Sequence, residues 1–79
     1  MSVVTTGRRF GSVTDDPSRG LALLRGRAVV DAARTLGHRP AWSASGRGWV
    51  VPSEAAADVL ALAEHEHVTV AYRETGGAA

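Results

Sequence analysis

Residues 40–52 read PAWSASGRGWVVP. Two short runs, each carrying a tryptophan, flank Ser45-Gly46, and a proline closes each end. That is the pattern of a β-hairpin, with Gly46 expected to supply the positive φ of a tight loop. A two-residue loop pairs Ala44 with Arg47, and a four-residue loop from Ala44 to Arg47 keeps the same register, in which partner numbers sum to 91. Either loop sets Trp42 opposite Trp49 and puts Val51 on their face of the sheet. A three-residue loop would send the two indoles to opposite faces.

Upstream, "RAVVDAARTLG" reads as a helix, because Val29, Ala32, Ala33 and Leu36 recur on one face. Gly37 stands where a left-handed C-terminal cap belongs, and Pro40 forbids continuation. Downstream, Pro52 ends the second strand and Ser53 is the expected N-cap of a further helix. "EAAADVLALAEHE" then places Ala55, Val59, Leu62 and Ala63 on one stripe. "HVTVAYRE" closes the series as a strand with Val68, Val70 and Tyr72 on one face.

The expectation is an α+β fold: a single-layer antiparallel sheet packed by two helices, in the order α-β-β-α-β. Leu21–Arg25, "LALLR", fits either a strand or the first turns of the helix. As a strand it completes the split βαβ, ferredoxin-like order. Residues 1–20 show little periodicity; "VVTT" and "RFGSVT" could be short strands, but with the breaker cluster "DDPSRG" the region reads as a flexible tail or a loosely attached hairpin. The domain is expected over residues 21–74, with 75–79 as a flexible tail.

A chain of 79 residues makes one small domain with a modest core. It has no cysteine, which removes disulfides, thiolate metal sites and thiol nucleophiles. Every basic side chain that is not histidine is arginine. Without lysine there is no P-loop and no Schiff base. The richness in Ala, Gly, Val and Arg is also what a high-GC coding sequence produces. "TGRRF" near the start has the twin arginines of an export signal, but "GSVTDDPSRG" supplies no apolar region after it, so a cytoplasmic location is expected. No apolar run is long enough for a membrane span.

Charge is uneven along the chain. Residues 1–50 carry eight Arg against Asp15, Asp16 and Asp31, a net +5, while residues 51–79 carry Arg73 against five acids, a net −4. Such a split can give a basic face for an acidic partner, or plain solvated surface. Within the basic half, Arg27 and Arg34 are seven apart on one helix face, and Arg39 and Arg47 flank the hairpin. These four are the candidate contacts to nucleic acid or another partner.

The tryptophans admit two readings. Under the helices they would form much of a small core, together with Leu36, Val51, Val59, Leu62, Val68, Val70 and Tyr72. On the open face they would stack nucleobases, as aromatic rings do in RNA-recognition domains, although the aromatic-rich strand motif of those domains is missing. The core reading is favoured. "EHEH" at residues 64–67 puts His65 and His67 two apart, off a common helix face, so no metal site is expected. No nucleophile elbow or paired-carboxylate pattern is present, and neither an enzyme nor a cofactor is expected.

"AARTLGHRPAW…GRGWVVP", followed by an acidic helix and a terminal strand, resembles short proteins of phages, plasmids and other mobile elements of high-GC actinobacteria. It is similar, more faintly, to small modules attached to helicase-like DNA-processing proteins. The match covers roughly residues 27–73 and rests on Leu36, Gly37, Arg39, Trp49, Val51 and Pro52. It implies an accessory binding module and carries over no functional residue. The expected partner is nucleic acid or a host protein; a homodimer is the other arrangement that would close a small core.

Overall fold

The computed structural model describes residues 10–75. Its elements are β1 (Phe10–Asp16), β2 (Leu21–Arg25), α1 (Arg27–Thr35), β3 (Ala41–Ser43), β4 (Gly48–Pro52), a 3-10 turn at Ser53–Ala55, α2 (Ala56–His65) and β5 (Thr69–Glu74). The fold is α+β, a five-stranded sheet in the order β3-β4-β2-β1-β5 with two helices.

Leu21–Arg25 is a strand, so β2-α1-β3-β4-α2-β5 does follow the split βαβ order along the chain. The spatial arrangement departs from it. β1 lies between β2 and β5, antiparallel to the first and parallel to the second. The sheet is therefore mixed, not antiparallel, and the ferredoxin-like pairing of its first and last strands is replaced by two pairings through β1.

The two crossovers run in opposite directions across the sheet and leave strands of opposite direction. A shared right-handed crossover thus puts both helices on one face. There α1 packs on β1 and β2, α2 packs on β5 and β1, and the helices touch each other.

Strand alternation fills the layer between them. Val13, Ala22, Leu24 and Val51 come from the sheet, Val29, Val30, Ala32 and Ala33 from α1, and Ala55, Ala56, Val59, Ala63 and Val68 from the second crossover. No aromatic ring is in this core. Small side chains let α1 lie close to the sheet, and Gly11 shows how close: a Cβ there would overlap Val29 Cγ2 and sit 2.7 Å from the Arg25 carbonyl oxygen. Gly26 meets Gly11 from the other side. At Gly26, φ is 98°, and a Cβ would come within 2.7 Å of Gly11 Cα.

Both helices end in the same capping motif. After α1, Gly37 takes φ 94°, Gly37 N–H donates to the Arg34 carbonyl and His38 N–H to that of Ala33. After α2, His67 takes φ 61°, donating to Glu64, and Val68 donates to Ala63. This is the Schellman arrangement twice, with glycine at its left-handed position once and a histidine the other time.

Several expectations are corrected. Residues 10–16 are an inner strand, with Val13 fully buried, and not part of a loosely attached segment. Residues 1–9 and 76–79, the rest of the expected flexible ends, lie outside the described residues; Thr75 N–H donates to the Asp15 carbonyl.

Ser53 does not cap α2. It opens the 3-10 turn with no side-chain cap, and its hydroxyl donates to Asp15 Oδ1 at 2.5 Å. The hairpin has the register summing to 91, through a loop at 44–47. Its positive φ falls on Arg47, at 53°, and not on Gly46. At Gly46 space is tight: a Cβ there would lie 3.2 Å from both Leu23 Cδ1 and Ser43 Oγ, side-chain atoms that would have to give way.

Of the expected core, Trp42, Leu36 and Tyr72 are exposed, while Trp49, Leu62 and Val70 are half-buried against it. Trp42 and Tyr72 do face the helical side; Trp42 stands on the edge strand β3, beyond the helices, while Tyr72 is on β5, which α2 packs against, and is still 41% exposed. Leu36 is the C-cap residue of α1, one step past its last turn.

Candidate nucleic-acid interface

β3 and β4 carry the two tryptophans beyond the cover of the helices. Trp49 pairs with Leu24 on one side and Trp42 on the other. Its indole is half-buried beside α1, and Trp42, one strand further out, is 57% exposed. The rings meet edge to face, with centroids 5.4 Å apart and planes at 66°. That is a favourable arrangement for two aromatic quadrupoles and fixes one ring against the other.

Helical spacing brings arginines to the same place. Arg27, Val30 and Arg34 recur on one face of α1, and with Gly26 and Trp49 they line a groove of about 290 Å³. The Arg34 guanidinium stands over the Trp49 ring, its Cζ 5.4 Å from the centroid. Arg34 also pairs with Asp31 at 3.6 Å, an exposed pair of little energetic weight. So one face of Trp49 is covered by a cation held in place from two sides, and the exposed indole of Trp42 stands beside it. Arg27 adds a second cation to the groove.

The four candidate arginines are thus not one cluster. Arg27 and Arg34 line the groove, whereas Arg39 and Arg47 do not. Arg39 is exposed in the connection leading to β3, and Arg47 is exposed in the hairpin loop at the other end of that strand. The Arg47 carbonyl accepts from Arg25 Nε at 3.4 Å and the Gly46 carbonyl from Arg25 Nη2 at 2.6 Å, which ties the loop to β2. Residue spacing alone marked Arg27 and Arg34; nothing in it marked Trp42 as the exposed partner.

A second polar group gathers at the far side of the sheet around Asp15. It accepts from Ser53 Oγ and, at 3.3 Å, from the Tyr72 hydroxyl. The Tyr72 pKa is raised above its usual 10.0, first by partial desolvation, then by the negative charges of Asp15 and Glu74 and the hydrogen bond to Asp15. This cluster holds β1, β5 and the 3-10 turn together.

Among the described residues no three of His, Asp and Glu gather as a metal site, and no helix is long and apolar enough to cross a membrane. No family model matches the chain, and no curated protein or solved structure matches it either.

Proposed function

We propose that the protein is a non-enzymatic nucleic-acid-binding module. It would act in the cytoplasm as an accessory protein of the kind that phages and mobile elements encode. The observation that carries this reading is the exposed Trp42 indole standing against the Trp49–Arg34 stack, with Arg27 in the same groove.

An exposed ring braced by a second ring is a stacking platform, and two guanidinium groups beside it suit the phosphates of a strand whose bases rest on it. Stacking requires an unpaired base, so single strands fit better than a duplex. Acidic α2 lies across α1 from the groove, over β1 and β5, which keeps its charge away from the bound strand. A second reading, a protein-binding or homodimeric module, draws on the same exposed Trp42 together with Leu36 and Tyr72.

Trp49 lines the groove and Trp42 stands against it, and these are the two tryptophans of the chain, so intrinsic fluorescence reports on the site directly. Short single-stranded DNA or RNA should quench this emission in a saturable way, with duplex of equal length binding less tightly. Trp42→Ala should weaken binding by about 1–3 kcal/mol, the usual worth of one stacked base. Arg27→Ala should lower the slope of log K against log salt by about 0.7. Quenching absent at low salt, or affinity indifferent to both changes, would sink the reading. Self-association lost in Trp42→Ala would then favour the protein-binding alternative.

A further inference from the structure

Among the described residues Phe10 is the most exposed large apolar side chain, at 65%. A single exposed ring needs no explanation by itself. Its place in the fold is what matters. Phe10 opens β1 beside the turn from β2 to α1, where a Cβ at Gly26 would come within 2.7 Å of the Phe10 carbonyl oxygen. With Arg27, Ala28 and Asp31, Phe10 lines a groove of about 280 Å³. Arg27 also lines the groove formed by Gly26, Val30, Arg34 and Trp49. The two grooves therefore meet at Arg27 and continue one another over the first turn of α1.

The sheet register gives the distance between their ends. Val13, Leu24, Trp49 and Trp42 stand in one row across four strands, and Phe10 is three residues before Val13 on β1. Three strand spacings and three residues of rise separate the Trp42 and Phe10 Cα atoms by about 17 Å. A strand with stacked bases advances about 3.4 Å per nucleotide and an opened one about twice that, so the gap takes about three to five steps. Asp31 is the acid of the second groove, and its pairing with Arg34 at 3.6 Å offsets its charge.

We propose that Phe10 is a second stacking ring of the same interface. A single strand of about four to six nucleotides then lies over the start of α1, with one base on Trp42, another on Phe10 and the linking phosphates at Arg27. The inference rests on the nucleic-acid reading and adds to it a residue, a path across the fold and a length. That length is at the short end of the roughly 4–16 nucleotides covered by small single-strand-binding folds. Every base has a π-face, so the second ring asks for no particular sequence.

Oligothymidylates of three, six and nine nucleotides, labelled with fluorescein and followed by anisotropy, test the proposal. Affinity should rise steeply from three to six nucleotides and little from six to nine. Phe10→Ala should weaken binding of the six-nucleotide strand about tenfold, within the worth of one stacked base, and leave the three-nucleotide strand unchanged. Its urea midpoint should match the parent's, because the ring is exposed. Phe10→Trp should keep the parent affinity and Phe10→Leu should not, which separates stacking from plain apolar contact. Leu21→Ala removes an exposed apolar side chain from the other face of the sheet and should change neither strand. The proposal is overturned, with the nucleic-acid reading intact, if Trp42→Ala weakens binding but affinity levels off at three nucleotides. It is overturned in the same way if Phe10→Ala or Phe10→Leu binds the six-nucleotide strand as the parent does. If no length binds at low salt, both readings fall together.

Discussion

β1 and the β3–β4 hairpin make opposite use of their sequences. β1, "FGSVTDD", is short of apolar residues, yet it is paired on both sides and supplies the fully buried Val13. The hairpin holds both tryptophans of the chain, yet β3 is a three-residue edge strand with its indole in solvent. Apolar content therefore does not rank these strands by depth. What places β1 inside is pairing and clearance: a strand with Gly11 at its helix-facing side lets α1 descend onto the sheet, where larger residues would hold it off. What places the hairpin outside is the width of the helical layer, which ends at Trp49.

The largest expected effect tests the clearance argument. Gly11→Val forces a side chain into Val29 and the Arg25 carbonyl, with backbone on one side, and should cost about 3 kcal/mol or more. Urea denaturation measures it. A variant as stable as the parent would show that β1 is not clamped beneath α1.

Trp49→Ala comes next. The ring is half-buried, so the loss should be about 2 kcal/mol, below the roughly 3–5 kcal/mol of a fully buried tryptophan. A loss in that higher range would return the hairpin to the core.

Asp15→Asn probes how β1 is tied to β5, at a cost of about 1 kcal/mol. Tyr72 is the only tyrosine, so its ionisation can be followed by absorbance at alkaline pH. In the parent the midpoint should lie above 10.0, and in Asp15→Asn it should move back toward that value. Because the raised pKa belongs to the folded state, stability from this site is complete below pH 10 and declines as pH rises through the Tyr72 midpoint. A midpoint indifferent to Asp15 would remove the contact.

The smallest effect is that of Trp42→Ala on stability. It should be under about 1 kcal/mol, the worth of an edge-to-face contact. Its loss of nucleic-acid binding would then be a change of surface and not of fold.

The same contrast explains what could be read from the chain beforehand. The hairpin register was legible because loop lengths of two and four give one pairing, and the cap at Gly37 because the residue before Pro40 by three is a glycine after a periodic run. Sequence pattern also assigns Trp42 and Tyr72 to the helix-facing side. It does not say how far two nine- or ten-residue helices extend across five strands, and that width is what exposes Trp42 on β3. β1 was legible as a possible strand in "RFGSVT" but not as an inner one, for a different reason. Its outward residues, Ser12, Thr14 and Asp16, are polar because that face is open, and its inward Gly11 is small because α1 is close, so it has the composition of a loop. In the candidate interface, periodicity joined Arg27 to Arg34, while the meeting of Arg34 with Trp49 depends on tertiary packing between α1 and β4.

The parallel pairing of β1 with β5 has a consequence for synthesis on the ribosome. Phe10 is matched with Thr69, 59 residues later in the chain. At about 5–20 residues per second, an emerging chain holds β1 with one flank unpaired for roughly 3–12 s. During that interval the β1–β2 hairpin is complete, but its outer flank is open to any extended strand nearby. The polar side chains along β1 suit this wait, since a flank that must stay vacant while its partner is translated is safer without a continuous apolar face.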